Sequence, residues 1–340
     1  ALYLWRIATP WRGKETFPPS SLHTPERYTL AEHPSARRHE RSLPFEENRP
    51  TYRAARFNEP PVSQTPTGGA AGMTDRAHPS PHPLIEFQNV TVVRGGHRLL
   101  DSVSLTIQEG EHLAILGPNG AGKSSLIRAI TREYYPSSPG PETVFRFRGR
   151  DTWDAFDLRS HIGLVSGDLQ YTFTRGISGR EVVLSGFFSS IGLFYHEVTP
   201  AMEQKADDIL EFLDVAHLAD RPMTEVSSGE ARRLLIGRAL VHDPGTLVLD
   251  EPTNSLDLHA LHSFRKTLRK IARSGTGIIL VTHNLHDIIP EISRVVLMRD
   301  GAIVMDGEKA EVLTERNIGE LFRVQVHIHR ENGYYYATGY

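Results

Sequence analysis

Gly117-Pro118-Asn119-Gly120-Ala121-Gly122-Lys123-Ser124-Ser125 follows the apolar run His112-Leu113-Ala114-Ile115-Leu116 and precedes Leu126-Ile127-Arg128-Ala129-Ile130, whose spacing suits a helix. The stretch fits the pattern G-x-x-x-x-G-K-[ST], in which glycines let consecutive backbone N–H groups curl round an anion at a helix start. Strand, loop and helix in that order predict an α/β fold that binds a nucleoside triphosphate. In such a loop Lys123 meets the β- and γ-phosphates. The Ser124 hydroxyl reaches the bridging Mg²⁺, a cation that prefers hard oxygen ligands.

A second apolar run, Thr246-Leu247-Val248-Leu249, ends in Asp250-Glu251. Carboxylates at the C-terminal end of a parallel strand sit where open α/β sheets bind ligands. The first serves a water on Mg²⁺ and the second polarises the attacking water. Between these motifs, Val226-Ser227-Ser228-Gly229-Glu230-Ala231-Arg232-Arg233 opens a helix-like run, Leu234 to Val241. Ser and Gly at a helix start make another anion cradle, although alone they amount to a cap with a basic first turn.

With these motifs in this order, the chain resembles the ATP-binding subunits of ABC transporters, whose signature is Leu-Ser-Gly-Gly-Gln followed by basic residues. Ser227 and Gly229 match that signature, whereas Val226, Ser228 and Glu230 depart from it. Further on, Ser255-Leu256-Asp257 resembles the loop through which paired subunits communicate. Ile278-Ile279-Leu280-Val281-Thr282-His283 resembles the strand that ends in the switch histidine. The likeness runs from roughly residue 84 to 322, about seventy percent of the chain.

The resemblance implies a P-loop NTPase of ABC type. Its expected parts are a mainly parallel core sheet with flanking helices, an antiparallel β subdomain, and a helical insert at about 178–243 carrying the signature. It further implies ATP and Mg²⁺ as cofactors, Lys123, Glu251 and His283 as catalytic residues, and Ser124, Asp250 and a glutamine on the metal side. Ser227, Gly229 and Asp257 would act across a pair of subunits, most simply a homodimer, because one chain carries one of each motif. The output would drive a separate membrane permease, with the subunit cytoplasmic and peripheral to the inner face of the membrane. The alternative is a soluble switch of the same fold without a permease.

Two positions depart from the family pattern. Arg94 stands before Gly95 where an aromatic residue usually stacks on adenine, and a guanidinium can also stack on a base. Gly167 follows Ile162-Gly163-Leu164-Val165-Ser166 where a glutamine is expected, which leaves Gln170 as the nearest candidate. Such variants resemble the branch of the family associated with molybdate or iron uptake.

The rest of the sequence bounds these expectations. Residues 1–83 hold 13 of the 22 prolines, with 11 Lys and Arg against 8 Asp and Glu and no apolar period, a composition that predicts disorder. Met73 is the first methionine, so N-terminal sequencing of the native protein is expected to find Met73 or Thr74. Absence of cysteine excludes disulfides, thiolate metal sites and cysteine nucleophiles. No window reaches the length of an apolar membrane span. A net charge of −3 gives no electrostatic reason to expect direct nucleic-acid binding.

Two C-terminal hairpins are expected. One turns at Asp300-Gly301, and the other joins Val324 to Arg330 with Tyr334-Tyr335-Tyr336. His327 and His329 share a strand face, either as a metal pair or as a solvated edge. The aromatic stretch Gly186 to Tyr195 is either a permease dock or packing inside the helical insert, and Phe188 is the position that tests the choice.

Overall fold

The computed structural model describes residues 82–173 and 176–340, so the expectations for residues 1–81 lie outside the described residues. Strands β1 (Ile85–Arg94) and β2 (His97–Ile107) pair antiparallel, followed by β3 (His112–Leu116) and helix α1 (Lys123–Ile130). Strand β4 (Val144–Phe147), helix α2 (Ala155–His161) and strand β5 (Ile162–Ser166) lead to α3 (Gly179–Leu184), α4 (Pro200–Phe212) and α5 (Ser228–Leu240). Next come β6 (Thr246–Asp250), α6 (Leu258–Arg273) and β7 (Gly277–Thr282), then β8 (Arg294–Arg299) and β9 (Ala302–Glu308). Helices α7 (Lys309–Val312) and α8 (Glu315–Phe322) precede the hairpin β10 (His327–Glu331) and β11 (Tyr334–Thr338).

The main sheet has the order β5-β6-β7-β3-β8-β9, parallel except for β9, which returns antiparallel on β8. A smaller antiparallel sheet has the order β2-β1-β4. This is the α/β architecture expected from the sequence, with the motif-bearing loops at the C-terminal ends of β3, β6 and β7.

Strands buried on both faces carry apolar residues at every position, because successive side chains point to opposite faces. In β3, Leu113 and Ile115 pack with β1, β2 and α1, while Ala114 and Leu116 pack with α3 to α6. The same alternation splits Val248 from Leu247 and Leu249, and Ile279 and Val281 from Ile278 and Leu280. Two apolar cores thus clamp one rigid sheet, and the strand ends are held to a common level.

The insert region is helical at α3, α4 and α5, but the aromatic stretch between α3 and α4 is a run of turns rather than helix. Ser189, Gly192 and Phe194 all have positive φ there, which breaks any helical continuation. Arg238 on α5 holds this run by donating to Ser185 Oγ at 3.2 Å and to the Ser190 carbonyl at 3.3 Å. The aromatic residues divide their roles. Phe187 packs against the core and edge-on to His242, and Phe188 stacks on His196 with ring centroids 4.3 Å apart. Phe194 and Tyr195 face solvent at 66% and 101% relative exposure.

Both C-terminal hairpins form, although the first strand of the second begins at His327 rather than at Val324. The first turns through Asp300 and Gly301, with φ of 51° and 81°, as a two-residue turn between right-twisted strands requires. The second is not a free tail, since Tyr335 is buried in the core on the helical side and β11 packs on the turn Leu285–Asp287. His327 Nδ1 lies 3.2 Å from Glu315 Oε1, and His329 Nε2 lies 2.9 Å from Thr338 Oγ1. The two histidines therefore serve local polar contacts on an exposed strand.

Candidate nucleotide site

The loop after β3 wraps between two backbone walls. Ala121 accepts from Gly301 N at 3.0 Å, and Gly301 in turn accepts from Asp101 N at 2.9 Å, which ties the loop to the β8–β9 turn and to β2. A side chain at Gly117 would place its Cβ 2.4 Å from the Met298 carbonyl oxygen. Gly122 has φ +97°, and a Cβ there would lie 2.9 Å from the Leu99 carbonyl. The glycines are thus required by the neighbouring strands as well as by the anion.

A cleft of about 900 Å³ opens over this loop. Asn119, Gly120 and Gly122 line it from the loop and Lys123, Ser124 and Ser125 from the start of α1, while Asp250 at the end of β6 and Glu251, Asn254 and Ser255 in the loop after it line it as well. Gly117 and Pro118 contribute differently: their carbonyls accept from Lys123 Nζ at 2.9 and 3.1 Å, which holds the ammonium in place. Lys123 is only 5% exposed, and its Nζ lies 3.3 Å from Glu251 Oε1.

Glu251 is the centre of the polar network. His283 Nδ1 is also 3.3 Å from Oε1, and Asn254 Nδ2 donates to Oε2 at 2.8 Å. Burial pushes the Glu251 carboxyl up, but the Asn254 hydrogen bond, the Lys123 charge and the His283 contact outweigh it and hold it below the usual carboxylate range. The backbone at Glu251 has φ 45°, a left-handed conformation that a non-glycine residue adopts at a local cost, and its N–H donates to the Val281 carbonyl at 2.9 Å. That bond joins the end of β6 to the end of β7, and so brings Glu251 and His283 together.

Ser227 and Gly229 do not line this cleft. Ser227 caps α5 in a reciprocal box: its Oγ accepts from Glu230 N at 3.3 Å, and Glu230 Oε2 accepts from Ser227 N at 2.8 Å and from Ser227 Oγ at 2.7 Å. These bonds, first from the Ser227 backbone and then from its hydroxyl, hold the Glu230 carboxyl below its ordinary range. A Cβ at Gly229 would lie 2.8 Å from Ala260 Cβ, so glycine lets α5 approach α6. Asp257 caps α6, accepting from Ala260 N at 2.7 Å. Gln170 falls on the single turn Gly167–Thr172, and its side chain lies outside the described residues.

Several cleft residues escape the motif reading. Arg232 is 4% exposed and lines the cleft with Ser166 and Gly167, where a Cβ on Gly167 would sit 3.5 Å from Arg232 Nη1. A basic residue after the signature was visible in the sequence, but its inward direction was not. Arg98, Leu99, Asp300 and Gly301 line it too, with Leu99 and Gly301 against Gly122, and Asn254, which no motif includes, donates to Glu251. Arg94, proposed to stack on a base, lies over the Tyr134 ring at 4.6 Å, while Arg128 Nη1 donates to the Tyr134 hydroxyl at 2.7 Å.

A family profile described as ABC transporter matches residues 100–254. The uncharacterized ABC transporter ATP-binding protein YlmA of Bacillus subtilis is 34% identical over 249 residues, covering 72% of this chain and 93% of that protein. The chain belongs to the ABC transporter ATP-binding family. The hemin import ATP-binding protein HmuV of Bradyrhizobium diazoefficiens is 31% identical over 262 residues, covering 75% of this chain and 94% of that one. Among solved structures, the ADP conformation of the ATP-binding cassette MJ1267 aligns at TM-score 0.62 and 27% identity, over 71% of this chain and 98% of that one. As a member of this family the chain is an ATP-binding and ATP-hydrolysing transporter subunit. Among the described residues no helix is long and apolar enough to cross a membrane.

Proposed function

We propose that this subunit hydrolyses ATP at a site shared with a second copy of itself, and that opening and closing of the pair drives a separate membrane permease. The observation that carries the assignment is the convergence on Glu251, where Lys123, His283 and Asn254 meet one carboxylate at the end of β6. In this reading Lys123 and the loop backbone bind the phosphates, Glu251 orients and polarises the attacking water, and His283 steadies the γ-phosphate. The depressed Glu251 carboxyl stays ionised near neutral pH, as an acceptor of a proton from water must.

The Ser124 hydroxyl and the Asp250 carboxylate both line the cleft and offer hard oxygen donors suited to Mg²⁺. When bound, the ion would neutralise charge on the β- and γ-phosphate oxygens. Ser227, Gly229 and Asp257 lie outside the cleft lining, which supports their assignment to the partner copy's ATP.

Phe194 and Tyr195, exposed on the turn between α3 and α4, replace Phe188 as the proposed permease contact, because Phe188 is engaged with His196. The subunit would then sit peripherally on the cytoplasmic side of the membrane. The hemin importer among its relatives fits an iron-uptake branch, with the cargo and its direction set by the permease.

Affinity purification from membranes is expected to recover a polytopic partner whose addition stimulates ATP turnover. Recovery of soluble partners alone would overturn the transport reading in favour of a soluble switch. Phe194→Asp is expected to abolish membrane recruitment while leaving basal turnover within about twofold, since an exposed side chain contributes little to folding. Unaltered recruitment would remove this turn from the docking role.

A further inference from the structure

Asp287 is a buried acid that the site described above does not use. It lies at the end of the turn Leu285–Asp287, is 1% exposed, and follows the proposed switch histidine by four positions. Two hydroxyls converge on one of its oxygens: Thr253 Oγ1 donates to Oδ2 at 2.7 Å, and Thr282 Oγ1 donates to the same Oδ2 at 2.5 Å. Both threonines are buried, at 8% and 1% exposure. Thr253 lies two residues after Glu251, and Thr282 immediately precedes His283.

These bonds close a circuit. Glu251 N donates to the Val281 carbonyl at 2.9 Å, and Asn284 N donates to Thr282 Oγ1 at 3.0 Å. The loop carrying Glu251 and the loop carrying His283 are thus joined twice, once through backbone beside the reacting end and once through Asp287 beneath it. The turn itself is backed from the other side. Arg265 donates to the His286 carbonyl while lying over the Tyr334 ring, and His286 Nε2 is 3.5 Å from Asp287 Oδ1.

A buried carboxylate is costly to desolvate, and a well-packed apolar group at such a place often serves stability as well. What the carboxylate supplies is direction, because one oxygen accepting two hydroxyl protons fixes both donors at short, charge-assisted distances. Catalytic groups must be held within about half an ångström of their working positions, and groups behind them set that tolerance.

We propose that Asp287 is a positioning residue for hydrolysis, whose Oδ2 ties Thr253 to Thr282 and thereby fixes Glu251 against His283. The inference rests on the roles assigned above to Glu251 and His283. Those roles fail separately, if Glu251→Gln and His283→Ala both retain full turnover.

The test uses the full chain and measures kcat, KM for ATP, equilibrium binding of a fluorescent ATP analogue, and thermal unfolding. Asp287→Asn is expected to lower kcat about 10- to 100-fold, the scale of a misplacement near an ångström, with analogue affinity within about twofold. Thr253→Val and Thr282→Val are each expected to lower kcat in the same direction. Adding either to Asp287→Asn should cost little more, since residues acting as a unit are not additive. If Asp287→Asn does not fold, Thr253→Val carries the test, being nearly isosteric. A lowered kcat with a retained melting temperature supports the proposal. Unchanged kcat in the folded variants, or a loss of kcat that simply follows loss of melting temperature, overturns it.

Discussion

Glu251→Gln is expected to cut ATP turnover by about 10²–10⁴-fold while ATP still binds, the effect of removing the proposed general base from a site otherwise intact. The structure makes this a clean substitution. The amide keeps the shape of the carboxylate, so the Asn254 contact and the backbone bond from residue 251 to Val281 can persist. What goes is the charge that Lys123 and His283 both approach at 3.3 Å. Retained binding with lost hydrolysis should accumulate an ATP-bound dimer, visible as a shift in size-exclusion chromatography with light scattering on adding ATP. Unchanged turnover would remove Glu251 from the catalytic role.

The second large effect is expected at Gly117. Alanine there would drive a methyl group to 2.4 Å from the Met298 carbonyl oxygen, inside any tolerable contact. Neither partner can yield cheaply. Met298 belongs to β8, whose parallel register with β3 runs Leu113↔Arg294 to Leu116↔Leu297, and Gly117 continues β3 directly. Relief therefore means prising two central strands apart at the mouth of the phosphate loop. A cost of about 3 kcal/mol is expected, as for overpacking in a core, and a fall in melting temperature of roughly 6–12 °C. Calorimetry checks the stability, and titration with an ATP analogue should show binding lost as well. A variant as stable as the parent would show that the loop and β8 separate easily.

These expectations differ in how visible they were from the residues alone. Lys123, Ser124, Asp250 and Glu251 are read from pattern because phosphate chemistry demands those residue types at a strand end, whatever the rest of the fold does. The parallel strands are equally plain, since continuous apolar runs such as Ile278 to Val281 suit only burial on both faces. The aromatic turn was less legible. Phe187, Phe188 and Phe194 look alike in sequence, and their separation into core, histidine partner and solvent depends on positive φ at Ser189 and Phe194 and on the reach of Arg238. Arg232 was similarly hidden, because a basic residue after a helix cap reads as solvated until the helix is docked.

The proposed phosphate loop at Gly117 to Ser125 was thus legible from local chemistry alone: glycines for a curled backbone, a lysine for charge and a serine for a hard oxygen. Only the tertiary structure decided what surrounds it. Strand order places β6 and β7 side by side, so that Glu251 and His283, 32 positions apart, meet across 3.3 Å. It also seats Thr253, Thr282 and Asp287 together beneath them, and turns Tyr335 of the last hairpin into the core. Such contacts join residues far apart along the chain, and no local pattern of residue types encodes a distance that the packing of two apolar cores on one sheet must first create.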